Sequence, residues 1–351
     1  MTFFPAALSL VLALLAVPAG ALAERISLSF VGDVMLAGSA TDTLQRYGYS
    51  YPFAATAAEL RRSDLVVGNL EAPLTEGGRE FRAKRFRFKA SPAAAAALKR
   101  AGFSVMTLAN NHMMDFGAEG LSDTIRHLNR NGIAFAGAGS SIADARREAS
   151  VAVRGQTVAF LAYSLTQPIE FFAAAGRPGT APGYAGHYPA DIRRVRSSAD
   201  HVVVSFHWGQ ERAALPSPHQ IEAAHRAIDA GADVVIGHHP HVLQGIEIYR
   251  GKPIFYSLGN FAFGSRSPSA DRSIIARVTL GKGPPVVEVI PLNVLFREVR
   301  FQPTILTGRR AADVVDRLNR LSAPFGTVVT STAGSHLVAP AEPNARLASR
   351  Q

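Results

Sequence analysis

Apolar residues recur along this chain in short blocks with two different periods. Runs of four to seven residues rich in Val, Ile and Phe lie at 26–31, 64–68, 103–108, 157–163, 201–206, 233–236 and 254–257. Their alternation, or their unbroken apolar character, predicts strands. Residues 53–62, 91–102, 117–130, 189–198 and 217–230 carry apolar positions at helical spacing instead. Ser91-Pro92 and Ser217-Pro218 each set an N-cap serine before a first-turn proline, and Gly102, Asn131-Gly132 and Gly231 close helices. Closing strands are expected at 274–280 and 286–299, and a last helix at 311–321. Strands alternate with helices, which is an α/β grammar. No Pro/Ser-rich linker interrupts it, so one domain is expected over 24–330. Periodicity fades after about residue 331, and 331–351 is expected to be a flexible tail.

The first residues follow another pattern. From Ala6 to Val17 the chain is almost wholly apolar, then Pro18 and Gly20 break it before Ala21-Leu22-Ala23. Residues 1–23 read as a secretory signal peptide cleaved before Glu24. No Lys or Arg precedes the apolar run, which leaves a retained anchor as the alternative. The expected location is outside the cytoplasm, periplasmic or at the cell surface. The chain has no cysteine, which excludes disulfides, thiolate metal sites and a cysteine nucleophile.

Charge adds a preference among partners. Lys and Arg outnumber Asp and Glu by 37 to 27, for a net charge of +10. An exported basic protein suits an acidic polymer or a phosphate-containing substrate, and nucleic acid is not expected there. Residues 79–89 concentrate the charge, with Arg82, Arg85 and Arg87 among interleaved phenylalanines. From Phe86 to Lys89 the alternation is strict and predicts a strand. It is either an edge strand protected by its charges or a basic face that guides an anionic substrate, with Arg82, Arg85 and Arg87 as the binding residues.

The chemistry lies where the apolar blocks end. Asp33 follows the first strand, Asn69-Leu70-Glu71 the second, and Asn110-Asn111-His112 with Asp115 the third. His207-Trp208-Gly209, with Glu211 beyond it, and Gly237-His238-His239-Pro240-His241 follow two later strands. In α/β sheets ligands bind at the carboxyl ends of strands. Any one of these residues can be a turn former or a helix cap. Their joint placement points to one centre. On an extended chain His239 and His241 face one side and His238 the other. Imidazole, carboxylate and amide oxygen together suit Mn, Fe or Zn, one ion or two.

In this order the motifs resemble the CapA family of capsule-synthesis proteins, named for poly-γ-glutamate. They are Gly32-Asp33-Val34-Met35, Asn69-Leu70-Glu71, Ala109-Asn110-Asn111-His112 with Asp115-Phe116-Gly117, His207-Trp208-Gly209, the 237–241 histidine motif and Ser257-Leu258-Gly259-Asn260-Phe261. That family is similar in turn to calcineurin-like metallophosphoesterases, which implies a β-sandwich flanked by helices and a two-metal site. The resemblance implies that Asp33 holds one metal and that Glu71 bridges two. It implies Asn111 and His207 as ligands of the second metal, His239 and His241 as the paired histidines, and His112 as the general acid. Met35 stands where phosphoesterases usually carry a ligand His, and the bridge is Glu in place of Asp. Three functions follow: capsule-polymer synthesis or export alongside membrane-bound capsule proteins, a metal-dependent phosphoesterase, or a non-catalytic polyanion-binding scaffold.

Overall fold

The computed structural model describes residues 25–341. The expected leader at 1–23 and the end of the expected tail lie outside the described residues. Two sheets dominate. The larger runs, in spatial order, Thr327–Thr332, Ser335–Pro340, Val286–Asn293, Arg272–Leu280, Ile26–Met35, Leu65–Leu70, Val105–Thr107 and Ala134–Ala136. Asn260–Phe263 adds to Ile26–Met35, and Thr304–Ile305 to Val286–Asn293. The second sheet runs Ile246–Tyr249, Lys252–Phe255, Val234–His238, His201–His207, Gln156–Ser164 and Ala149–Val153. The strands that carry the polar clusters pair in parallel within each sheet.

Side-chain alternation explains why the sheets stack. Leu28, Phe30, Val67 and Val105 of one sheet share a core with Val158, Phe160, Val203, Val234, Ile236 and Phe255 of the other. Their neighbours one position along point outward. Val66 and Met106 meet Leu98 of the helix Ala93–Ala101 and Leu121 and Leu128 of Gly117–Arg130. Val202, Val204 and Val235 meet Ile192 of Tyr188–Arg196 and Ala223 and Ala227 of Pro218–Asp229. The result is a β-sandwich with helices on both outer faces. Each fully buried Val, Leu or Phe contributes about 1.5–3 kcal/mol of transfer free energy. Ser217 and Gln220 close a capping box at the start of Pro218–Asp229.

The first strand is bent for its task. Its register against Leu65–Leu70 shifts between Phe30 and Asp33. Gly32 permits this, because a Cβ there would sit 2.0 Å from the Gly259 carbonyl oxygen. The Asp33 N–H donates to that oxygen at 3.0 Å. Asp33 is thereby aligned with Asn260.

Four expectations are corrected. The helix expected at 53–62 is only Ala57–Leu60, preceded by the 3-10 turn Tyr51–Phe53 that holds Pro52. The strand expected to run to 299 ends at Asn293, whose side chain accepts from the Leu295 N–H at 3.1 Å, and Phe296–Val299 is helical. The expected loose stretch after 331 is, as far as 340, a hairpin of Thr327–Thr332 and Ser335–Pro340 that joins the large sheet through Val287 and Glu288. Its residues are mostly half-exposed or exposed, which erases the apolar pattern a reader relies on. Residues 86–89 form no strand. The Phe88 N–H donates to the Asp115 carboxylate at 2.9 Å, so a side chain takes the bond that a sheet partner would take.

Candidate metal centre

The strand ends converge. Asp33, Asn69, Glu71 and Asn110 are fully or almost fully buried, and His207, His238 and His239 nearly so. Asn69 organises the floor. Its Nδ2 donates to Asp33 Oδ1 at 2.9 Å and lies 3.3 Å from Glu71 Oε2 and 3.4 Å from His207 Nδ1. Asn110 Nδ2 donates to Asn69 Oδ1 at 3.0 Å and to the Leu70 carbonyl at 2.8 Å. Around this floor stand the expected ligands. His207 Nε2 sits 2.9 Å from Asn111 Oδ1, 3.1 Å from His239 Nδ1 and 3.6 Å from Glu71 Oε1. His241 Nδ1 lies 3.1 Å from Asp33 Oδ2 and 2.9 Å from Asn260 Oδ1, while its Nε2 lies 3.8 Å from Glu71 Oε1.

All six expected ligands therefore lie in one side-chain cluster. The local geometry that brings His239 and His241 there differs from the expected one. Both adopt positive φ, 94° and 59°, so the loop is coiled and the extended-chain rule does not apply. Nor does His238 point away. Its Nδ1 approaches Asp33 Oδ1 to 2.9 Å, out of line for a hydrogen bond.

Three overlapping triples have ligand atoms within 4.8 Å of one another: Glu71–His207–His239, Asp33–Glu71–His241 and Glu211–His239–His241. Glu71 belongs to the first two, the position of a bridge. Among the described residues its buried Oε1 has no hydrogen-bond partner. A buried carboxylate oxygen left unpartnered costs about 1–3 kcal/mol, so the donor set fits a cation that would satisfy it. The charges are arranged accordingly. Burial, then the charge of Asp33, pushes the Glu71 carboxyl well above its ordinary range. Burial would also raise Asp33, but close contacts with His238 and His241 bring it well below the usual value. Burial, then His241, pulls His239 down to about 3, and burial, then His239, holds His207 well below its usual value. His241 goes the other way: burial opposes its charge, yet Glu71 and Asp33 push it up to about 9. Two imidazoles are thus neutral and ready to ligate, as cation binding requires.

His112 stands beside the ligands, on a cleft of about 200 Å³ that Met35, Phe86, Phe88, Glu211 and His241 also line. Its Nδ1 is 2.6 Å from Asp115 Oδ2, and its ring packs 4.9 Å from Phe88. Burial holds its pKa below the ordinary value against the pull of Asp115. Lys84 completes this corner, unforeseen as a site residue. Its Nζ reaches Asp115 Oδ1 at 2.7 Å and His112 Nδ1 at 2.8 Å, and it donates to the Asn111 carbonyl. Its position inside the basic run disguised it, since its neighbours Arg82 and Arg85 are exposed. Arg87 is engaged within its own loop, with Glu80 at 3.5 Å and the Lys84 carbonyl. The loop thus rims the cleft through Phe86 and Phe88, and its arginines stand outside the ligand cluster.

A helix-flanked pair of sheets with carboxylates, imidazoles and amides gathered at its strand ends defines a class of protein suited to divalent-cation chemistry. Within that class the chain belongs to the family described as bacterial capsule synthesis protein PGA_cap, which it matches over residues 27–265. It is 35% identical over 279 residues to the capsule biosynthesis protein CapA of Bacillus anthracis, covering 77% of this chain and 68% of that one. It is 36% identical over 274 residues to the PGA biosynthesis protein CapA of Bacillus subtilis, covering 77% and 72%. Among solved structures it is similar to the NAD nucleotidase of Haemophilus influenzae (TM-score 0.48, 16% identity, 85% of this chain and 63% of that one). A calcineurin-like phosphoesterase of Bacillus subtilis is also similar (TM-score 0.42, 15% identity, 80% and 89%).

Proposed function

We propose that this protein acts in the synthesis or export of an anionic capsule polymer, of the poly-γ-glutamate kind, through a centre of one or two Mn, Fe or Zn ions. The observation that carries the reading is the unpartnered, buried Oε1 of Glu71 between His207 and His241. Glu71, Asn111, His207 and His239 would hold an inner ion; Asp33, Glu71 and His241 would hold an outer one. A divalent ion there supplies Lewis acidity and lowers the pKa of water. The rest is the work of the chain itself. Asn69 orients Asp33 and His207. Asp115 orients His112, which faces the cleft and can give a proton to, or take one from, a group bound there. A cleft of about 200 Å³ admits one unit of an extended polymer. The surplus of positive charge favours an acidic chain. Family membership and the CapA relatives support the capsule role, and the apolar leader supports export, where membrane-bound capsule proteins are the expected partners.

The same His112–Asp115 pair beside the ligands also suits hydrolysis of a phosphate ester, the second reading. Metal analysis of the purified protein, followed by γ-glutamyl hydrolase and phosphodiesterase assays with Mn, Fe or Zn restored, tests both. Metal uptake with γ-glutamyl cleavage supports the first reading and metal-dependent phosphodiesterase activity the second. A protein that takes up no metal refutes the centre and leaves polyanion binding alone.

A further inference from the structure

Met35 ends the strand Ile26–Met35 two residues beyond Asp33 and lines the cleft. Its thioether is a poor partner for Mn or Zn. The outer triple, Asp33–Glu71–His241, is then left with three donors. Glu211 lines the same cleft. One of its carboxylate oxygens lies within 4.8 Å of ligand nitrogens of both His239 and His241. The three triples close a ring: Glu71 joins the inner to the outer, His241 joins the outer to the Glu211 triple, and His239 joins that triple to the inner. Glu211 is exposed, and among the described residues its carboxylate has no hydrogen bond or ion pair.

Its placement is built into the backbone. Gly209 takes φ 79°, and a Cβ there would lie 2.5 Å from Oε1 of the buried Gln220. The Arg212 N–H donates to the Pro240 carbonyl at 2.8 Å, which ties the turn to the histidine loop. Gln244 Nε2 holds the Ala213 carbonyl at 2.9 Å. Independently of Glu211, the buried Glu71 Oε1, which has no hydrogen-bond partner among the described residues, marks the outer triple as a cation position.

We infer that Glu211, which lies near His239 and His241 but is not grouped with Asp33 or Glu71, turns its exposed side chain inward to become the fourth protein ligand of the outer ion, in the role that residue 35 does not fill. This rests on the metal-centre reading above and adds to it which residue completes the second position. The test uses the full chain, stripped with chelator and titrated with MnCl2 by calorimetry, with electron paramagnetic resonance of the loaded protein. Wild type is expected to bind two ions and to show a spin-coupled spectrum. Glu211→Gln is expected to keep one affinity, weaken the other by about tenfold or more, and show an isolated-ion spectrum. Its metal-free melting temperature should match wild type, because the side chain is exposed. Two unchanged affinities in Glu211→Gln overturn the inference while leaving the centre intact. A single wild-type ion whose affinity Glu211→Gln leaves unchanged does the same. A wild type that binds no Mn overturns the centre itself.

Discussion

Glu71→Gln separates stability from function at this site. Glu71 is fully buried, and its Oε1 has no partner. Its carboxyl is pushed up by burial and by Asp33, so the metal-free protein carries a cost at this position. An unsatisfied buried polar atom costs about 1–3 kcal/mol. Glutamine keeps the shape, removes the negative charge, and can still accept from Asn69 Nδ2. Metal-free Glu71→Gln is therefore expected to be more stable than wild type by about 1 kcal/mol, a rise of about 2 °C in Tm. With metal the order inverts. A ligand at a hundred times its Kd stabilises the native state by about 2.7 kcal/mol, and the variant forfeits most of this. The assay is differential scanning calorimetry of both proteins in chelator and in excess MnCl2. Curves that do not cross refute the reasoning. In that case either the metal-free variant melts below wild type, so Glu71 is not frustrated, or it gains as much from metal, so Glu71 is not a ligand.

Three more predictions follow from the same geometry. Met35→His places a polar ring where the native side chain is 2% exposed, so it should cost about 1–3 kcal/mol without metal. Urea melts should show part of this recovered with metal, and no metal dependence of the difference would mean that residue 35 does not reach the ion. Arg82→Gln with Arg85→Gln should weaken poly-γ-glutamate binding a few-fold at low salt and little at physiological salt, where screening acts over about 8 Å; a salt-independent loss, read by fluorescence titration, would argue against guidance by exposed charge. Asp233 binds Lys252 at 2.5 Å, Arg196 at 2.6 Å and the Val202 N–H at 2.9 Å. Burial opposes its charge, but these partners hold its pKa below the usual value. A lowered folded pKa means stability that is present above the unfolded value and lost as pH falls through the folded one. Asp233→Asn should therefore cost about 2–3 kcal/mol at pH 7. The gap should shrink below about pH 4, and a gap that is constant with pH in urea melts would exclude the ionised carboxylate as its source.

What the sequence determined by itself was local and periodic. Short unbroken apolar blocks mark Gln156–Ser164 and His201–His207 because a strand covered on both faces buries successive side chains in opposite layers. The Ser217-Pro218 start and its Gln220 mark a helix because capping acts within one turn. Asp33, Glu71, Asn111, His112, His207, His239 and His241 were legible as candidates because each lies at, or within about five residues of, the end of a strand, and strand ends of an α/β sheet meet in one crevice. Tertiary structure decided whatever depends on a partner distant in sequence. Lys84 is one more cation in a basic run until Asp115 and His112, about 30 residues away, close around it. Residues 86–89 have a strand's alternation, but Asp115 takes the Phe88 N–H, and among the described residues no strand pairs with them. His239 and His241 meet because their backbone turns left-handed against Asp33 and Asn260, and side-chain spacing carries no trace of that φ. The hairpin at 327–340 exists because Val286–Asn293 offers it an edge, and an exposed hairpin writes almost no apolar pattern of its own.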